Sequence, residues 1–64
     1  MNAAPPRRMI RVIDGPYAGR EQLAGYAPYY ALLRLGTTET RYERQDPPVE
    51  VDGVWWHHYA QVRP

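Results

Sequence analysis

The strongest pattern of hydrophobic and polar positions lies near the carboxyl end, where residues 49–51 and 54–56 flank Asp52 and Gly53. Asp–Gly supplies the two positive φ angles of a type I′ turn, whose twist suits a two-residue hairpin. The alternation on either side therefore predicts two antiparallel strands with a fixed register. That register pairs Val51 with Val54, Glu50 with Trp55, and Val49 with Trp56.

This hairpin has two distinct sides, because successive side chains of a strand point to opposite faces. We expect the more aliphatic side to face the core; it consists of Val49, Val51, Val54, Trp56, His58, Ala60 and Val62. The other side is expected to face outward; it consists of Glu50, Trp55, His57, Tyr59 and Gln61.

Three further strands are predicted upstream. Residues 9–13 alternate and end at the turn-forming residues 14–16, and residues 22–24 form a short segment between two glycines. Residues 40–45 are rich in types that strands tolerate. The sequence Asp–Pro–Pro at 46–48 is expected to break the chain after them.

Residues 29–35 fit two different structures. Pro28 in front and Gly36 behind are typical of a two-turn helix. As a strand, the same segment places Ala31 and Leu33 on one face and Leu32 on the other. The loop-like residues 36–38 and the β-tolerant segment after them favour the strand, as one arm of a hairpin.

About five short strands separated by turns predict a mainly β fold, a small SH3-like, partly open barrel with Pro-rich extended ends. We expect a single domain at residues 9–62. Residues 1–8 contain two consecutive prolines, which fit neither a helix nor a sheet ladder, and are expected to form an extended arm.

The composition leaves this small domain short of aliphatic core. Only eleven of the 64 residues are Ile, Leu, Val or Phe, and there is no cysteine to form a disulfide. Six Tyr and two Trp must help to fill the core, since each can bury about 150–250 Å². We also expect an oligomer, or attachment to a lattice of a larger assembly, to supply apolar surface.

The charge balance is nearly neutral, with a net charge of +1. This is far from the basic excess of a dedicated duplex-binding domain, although nucleic acid stays open as a partner. No apolar run approaches the ~20 residues that cross a bilayer, and no signal peptide is visible. We therefore expect a cytoplasmic protein without a membrane partner.

Residue types needed for catalysis are scarce. The chain contains no Ser, Cys or Lys, and its three threonines cluster at positions 37, 38 and 40 without a neighbouring base. His57 and His58 are adjacent on a strand, so they point to opposite faces and cannot share one metal ion. We expect no enzyme activity, no catalytic residue, no metal and no cofactor.

Arg, Tyr and Trp make up a quarter of the chain, and these types are enriched at the energetic centres of interfaces. The expected outer stripe of Trp55, His57 and Tyr59 therefore predicts a protein-binding surface. Tyr17 and Arg20, in the loop after the first strand, are assigned to the same surface.

Residues 10–20 resemble the KOW motif, a strand and loop found in SH3-like barrels of transcription elongation factors and ribosomal proteins. The likeness rests on Asp14, Gly15, Pro16, Tyr17 and Gly19. The loop of that motif contacts RNA or protein. The resemblance thus implies an alternative function, an RNA- or DNA-binding module, with Arg7, Arg8, Arg11 and Arg20 meeting phosphates and Tyr17 stacking on a base.

The chain as a whole resembles small proteins of GC-rich bacteriophage genomes. This resemblance implies an accessory or virion-associated module that decorates a capsid or binds a host factor. The expected partner is a larger protein assembly or a host protein, met in the cytoplasm of the host cell or within a virion.

Overall fold

Five strands and one 3-10 turn make up residues 7–63, the part of the chain that our computed structural model describes. The elements are β1 (Arg7–Val12), the 3-10 turn (Gly15–Tyr17), β2 (Glu21–Leu23), β3 (Tyr30–Leu35), β4 (Thr38–Val51) and β5 (Val54–Gln61). Each predicted strand segment overlaps one of these strands, with residues 40–45 and 49–51 both in β4, and residues 30–35 form a strand rather than a helix. Arg7 and Arg8, which we assigned to the extended arm, belong to β1, and residues 1–6 lie outside the described range.

The strands form one sheet in the order β2-β1-β5-β4-β3. All neighbours are antiparallel except β1 and β5, which run parallel at the centre. The β4–β5 turn has φ angles of 50° at Asp52 and 79° at Gly53, as a type I′ turn requires. The predicted register of this hairpin is confirmed at all three pairs.

Asp46, Pro47 and Pro48 do not end a strand as predicted. They lie within β4, where the pairing with β5 passes from Gln45–His58 directly to Val49–Trp56. Three residues of β4 thus lie opposite one residue of β5, which is a bulge. Proline has no N–H to donate to the ladder, and a bulge is one of the places where a sheet accepts it.

A single short loop joins the two outermost strands and favours a curled sheet. In a flat sheet β2 and β3 would lie about 19 Å apart, at ~4.8 Å for each of four spacings. The chain from Leu23 to Tyr30 reaches at most about 25 Å, and it must also rise over the side chains of one face. The sheet is accordingly a curled half-barrel, which confirms the predicted mainly β, SH3-like, partly open barrel.

The core lies on the concave face and is built around two tyrosines. Tyr42 is 0% exposed and Tyr59 is 1% exposed, and Val12 completes the buried cluster. The prediction that Val49 and Val51 face the core is therefore wrong: they are 47% and 50% exposed on the convex face. Within residues 7–63 no helix has the length and hydropathy to span a membrane.

Candidate protein-binding groove

The concave face holds an open groove of about 300 Å³. One wall comes from β1 and β2, the other from β3, and the β2–β3 loop closes one end. The lining is largely apolar and consists of Ile10, Val12, Arg20, Gln22, Ala24, Gly25, Tyr26, Pro28, Ala31, Leu33, Tyr42 and Tyr59.

Tyr42 and Tyr59 form the floor, and their hydroxyl groups secure the loops at either side. The Tyr42 hydroxyl donates to the carbonyl of Asp14 at 3.1 Å and accepts from the amide of Tyr17 at 3.2 Å. The Tyr59 hydroxyl donates to the carbonyl of Pro28. Burial raises the pKa of Tyr59, so this hydroxyl keeps its proton over the neutral range. These hydrogen bonds tie the floor of the groove to the loops on both sides.

Arg44 fixes the loop that closes the groove. Its guanidinium donates to both carboxylate oxygens of Asp46, at 2.9 and 3.2 Å, and to the carbonyl of Ala27 at 2.6 Å. Ala27 is 3% exposed, so its carbonyl is an acceptor that needs a partner within the protein. The Arg44 contacts hold the loop against β4 and keep the end of the groove closed.

Arg20 supplies a positive charge at the rim. Its guanidinium lies 5.9 Å from the centre of the Tyr17 ring, a cation–π contact. Four ion pairs connect side chains of residues 7–63, and none of them involves Arg20. An apolar groove with a free guanidinium beside it fits an apolar group that has a negative charge next to it.

The structure brings together part of the predicted protein-binding surface. Arg20 and Tyr59 line the groove, and Tyr17 packs beside Tyr42 with ring centres 6.3 Å apart. The expected exposure of the Trp55, His57, Tyr59 stripe is wrong, because Tyr59 is in the core and His57 is 8% exposed. Trp55 is half-buried farther along the same face, opposite Glu50 and Arg8.

His57 is a buried imidazole with neither ring nitrogen hydrogen-bonded to any described group. Its burial, together with the nearby positive charges of Arg8 and Arg44, lowers the pKa of His57 below its ordinary value. The residue is therefore neutral in the folded protein at pH 7 and contributes no charge to a binding surface.

Sequence reasoning missed the apolar character of the convex face. One row crosses four strands there: Leu23 on β2 pairs with Met9, Met9 with Trp56, and Trp56 with Val49. We call these four residues the outer row. Leu23 is 68% exposed, and Arg11 covers Trp56 at 4.4 Å from the ring centre. The alternation did group Trp56 with Val49, but it could not say which face the core would occupy.

The arginines proposed for nucleic-acid binding do not form one patch. Arg7 and Arg11 share the convex face with the outer row, whereas Arg8 is on the concave side. Arg11 is also paired with Glu21 at 2.6 Å. Of the residues proposed for nucleic-acid binding, only Arg20 and Tyr17 are in contact. The site for the alternative function therefore contains one cation and one aromatic ring.

Among the residues from Arg7 to Arg63, no group of three or more His, Asp or Glu side chains is placed to hold a metal ion. No family model, no curated protein and no solved structure matches the chain.

Proposed function

We propose that this chain is a non-enzymatic protein-binding module that accepts an apolar side chain of its partner in the concave groove. The observation that carries the proposal is the groove itself, an apolar hollow of about 300 Å³ left open because the half-barrel does not close. Ligand pockets commonly measure about 300–1,000 Å³, so this one suits a side chain or two rather than a large cofactor.

The charge at the rim suggests the chemistry of the partner. Arg20 would pair with a carboxylate adjacent to the inserted side chain, and the amide of Gln22 offers a donor and an acceptor on the same wall. We therefore propose a partner segment in which Leu, Met or an aromatic residue is next to Asp or Glu.

The larger context is also proposed. A chain of 64 residues with a thin core gains most from docking onto something bigger. In keeping with the resemblance to small bacteriophage proteins, we propose a virion lattice or a host protein as the source of that segment.

A peptide selection tests the groove directly. Random heptapeptides displayed on a carrier are selected against the protein, and we expect enrichment of an apolar residue beside an acidic one. Ala31→Phe fills the groove and should abolish binding of the selected peptides. Ala60→Phe, the same change on the convex face of β5, should leave it within about twofold. Binding that Ala31→Phe leaves intact would place the peptide elsewhere.

The contribution of Arg20 is tested by a charge-matched pair of variants. Arg20→Gln should weaken peptide binding by about tenfold, the effect expected when one charge-assisted hydrogen bond is lost. Arg41→Gln removes the same charge from an exposed convex position and should have little effect.

The alternative function, nucleic-acid binding, predicts a different result in a direct binding measurement. A fluorescein-labelled single-stranded oligonucleotide should bind weakly, if at all, to a protein-binding module. Affinity that is high at 50 mM salt and falls steeply by 200 mM would instead support the nucleic-acid module, because each phosphate contact releases counterions.

A further inference from the structure

The outer edge of β3 is a second unpartnered feature, independent of the groove. β3 is the last strand of the sheet and pairs only with β4. The amide of Arg44 donates to the carbonyl of Tyr29, so the alternation of an antiparallel ladder directs Ala31 and Leu33 toward β4 as well. The N–H and C=O groups of Tyr30, Leu32 and Arg34 therefore point away from the sheet.

This edge lacks the devices by which proteins protect exposed strands. It is six residues long, without proline or bulge, and its one charge, Arg34, is paired with Glu39 at 2.7 Å. Tyr30, Leu32 and Leu35 are 57%, 58% and 70% exposed. The other edge, β2, has only three residues, one of them the charged Glu21.

We propose that β3 pairs with β3 of a second copy of this chain, antiparallel about a two-fold axis through Leu32. In this register Leu32 faces Leu32 of the second copy, and Tyr30 faces Arg34. The three outward-pointing residues of each chain then exchange about six hydrogen bonds across the axis. The result is a continuous ten-stranded sheet.

The side chains are complementary in this register. Arg34 of one copy lies over Tyr30 of the other, so no like charges are opposed and a cation–π contact forms. On the concave side, Leu33 of one copy lies opposite Ala31 of the other. Leu35 meets Tyr29, which is 44% exposed. The same two-fold operation thus gives every large exposed apolar residue of β3 a cross-strand neighbour from the second copy.

The mass of the protein in solution tests the pairing. Analytical ultracentrifugation should show a species of twice the 7.5 kDa chain mass that dissociates on dilution. Leu32→Arg places two arginines opposite each other on the axis and should raise the dissociation constant at least tenfold. Leu23→Arg, at a comparably exposed leucine on the other edge strand, should not change it.

A cysteine cross-link gives a second readout that does not depend on a destabilising change. The chain has no cysteine, so Leu32→Cys introduces a single thiol. Directly paired residues of an antiparallel ladder lie about 5.5 Å apart between Cα atoms, within the range of a disulfide. Mild oxidation should give a covalent dimer from Leu32→Cys and not from Leu23→Cys. A monomer at millimolar concentration, or a dimer sensitive only to Leu23→Arg, would overturn the proposal.

Discussion

Gly15 is the residue at which backbone conformation and core packing meet. Its φ of 75° is left-handed, and a Cβ at this position would lie 2.6 Å from the Tyr42 hydroxyl and 2.8 Å from Oε1 of Gln61. The Tyr42 hydroxyl lies this close because it hydrogen-bonds the backbone on both sides of Gly15, at Asp14 and at Tyr17. Glycine is therefore required at position 15 both for the left-handed backbone of the turn and for the close packing against Tyr42.

We expect Gly15→Ala to destabilise the protein by about 2–4 kcal/mol, the sum of backbone strain and overpacking. Gly36→Ala is the matched control, because φ is 62° there and no atom lies within 4 Å of the added Cβ. Gly36→Ala should cost only the strain of a left-handed alanine, about 1–2 kcal/mol. Urea unfolding of both variants provides the comparison, and equal losses would show that the Tyr42 contact does not matter.

His57 makes stability depend on pH. The pKa of His57 is lowered in the folded protein. Near pH 6.5 the imidazole therefore becomes protonated in the unfolded chain but stays neutral in the folded chain. Stability should therefore decrease as the pH falls below about 6.5, and this contribution should level off only below the folded pKa. Urea midpoints measured between pH 7.5 and 5 would record the decrease.

The variant His57→Leu should reduce that decrease without a large loss at pH 7.5, because it also removes two unsatisfied ring nitrogens from the interior. His58→Gln leaves His57 in place and should keep the decrease. If His57→Leu retained the full pH dependence, another group would be responsible.

At this scale the composition predicted that tyrosines must fill the core, and Tyr42 and Tyr59 do so. It did not predict which face they occupy. On β5 both faces are apolar, and counting aliphatic residues favoured the side of Val49 and Val51. The core lies instead on the concave face, where the hydroxyl groups of Tyr42 and Tyr59 hydrogen-bond to loop carbonyls. These contacts join residues distant in sequence, so the local pattern could not reveal them.

Among the elements, β4 connects the most distant parts of the fold. Its first half pairs with both β3 and β5, the bulge at residues 46–48 interrupts the second half, and Arg44 just before the bulge binds the β2–β3 loop. The element thus supplies both a ladder and the anchor of the groove's closed end.

The variant Arg44→Lys should destabilise the protein by about 1–2 kcal/mol, because lysine cannot hold Asp46 with two bonds and the Ala27 carbonyl at the same time. Arg34→Lys alters an exposed pair with Glu39 and should change stability by under about 0.5 kcal/mol. Hydrogen exchange should show faster exchange at residues 24–29 in Arg44→Lys alone. An unchanged loop would mean that the Tyr59 hydroxyl is sufficient to hold it.

Local chemistry predicted the elements better than their arrangement. The Asp–Gly turn determined both the existence and the register of the β4–β5 hairpin, and Gly36 marked the β3–β4 turn. The parallel pairing of β1 with β5 joins residues more than 45 positions apart, and no local pattern encodes it. For the same reason the groove was not predicted: its walls come from β1, β2 and β3, which the sheet order brings to opposite sides.

At the scale of the whole molecule, the loop between β2 and β3 explains why a fold with so little aliphatic core leaves part of it open. The loop limits how far apart the two edges can lie, but no ladder joins β2 to β3, so a gap remains above Tyr42 and Tyr59. Apolar walls facing such a gap contribute less to stability than they would in a closed barrel.

Filling the gap should therefore stabilise the isolated chain and impair its binding. Ala31→Ile adds three carbon atoms to a half-buried position on the groove wall and should increase the free energy of unfolding by about 1 kcal/mol. Ala31→Ile should also weaken the binding of the selected peptides by more than tenfold. Ala60→Ile makes the same change in strand propensity on the convex face. The difference between the two urea midpoints therefore measures the effect of filling the groove. A loss of stability in Ala31→Ile relative to Ala60→Ile would mean that the walls already pack against each other and leave no room for a partner.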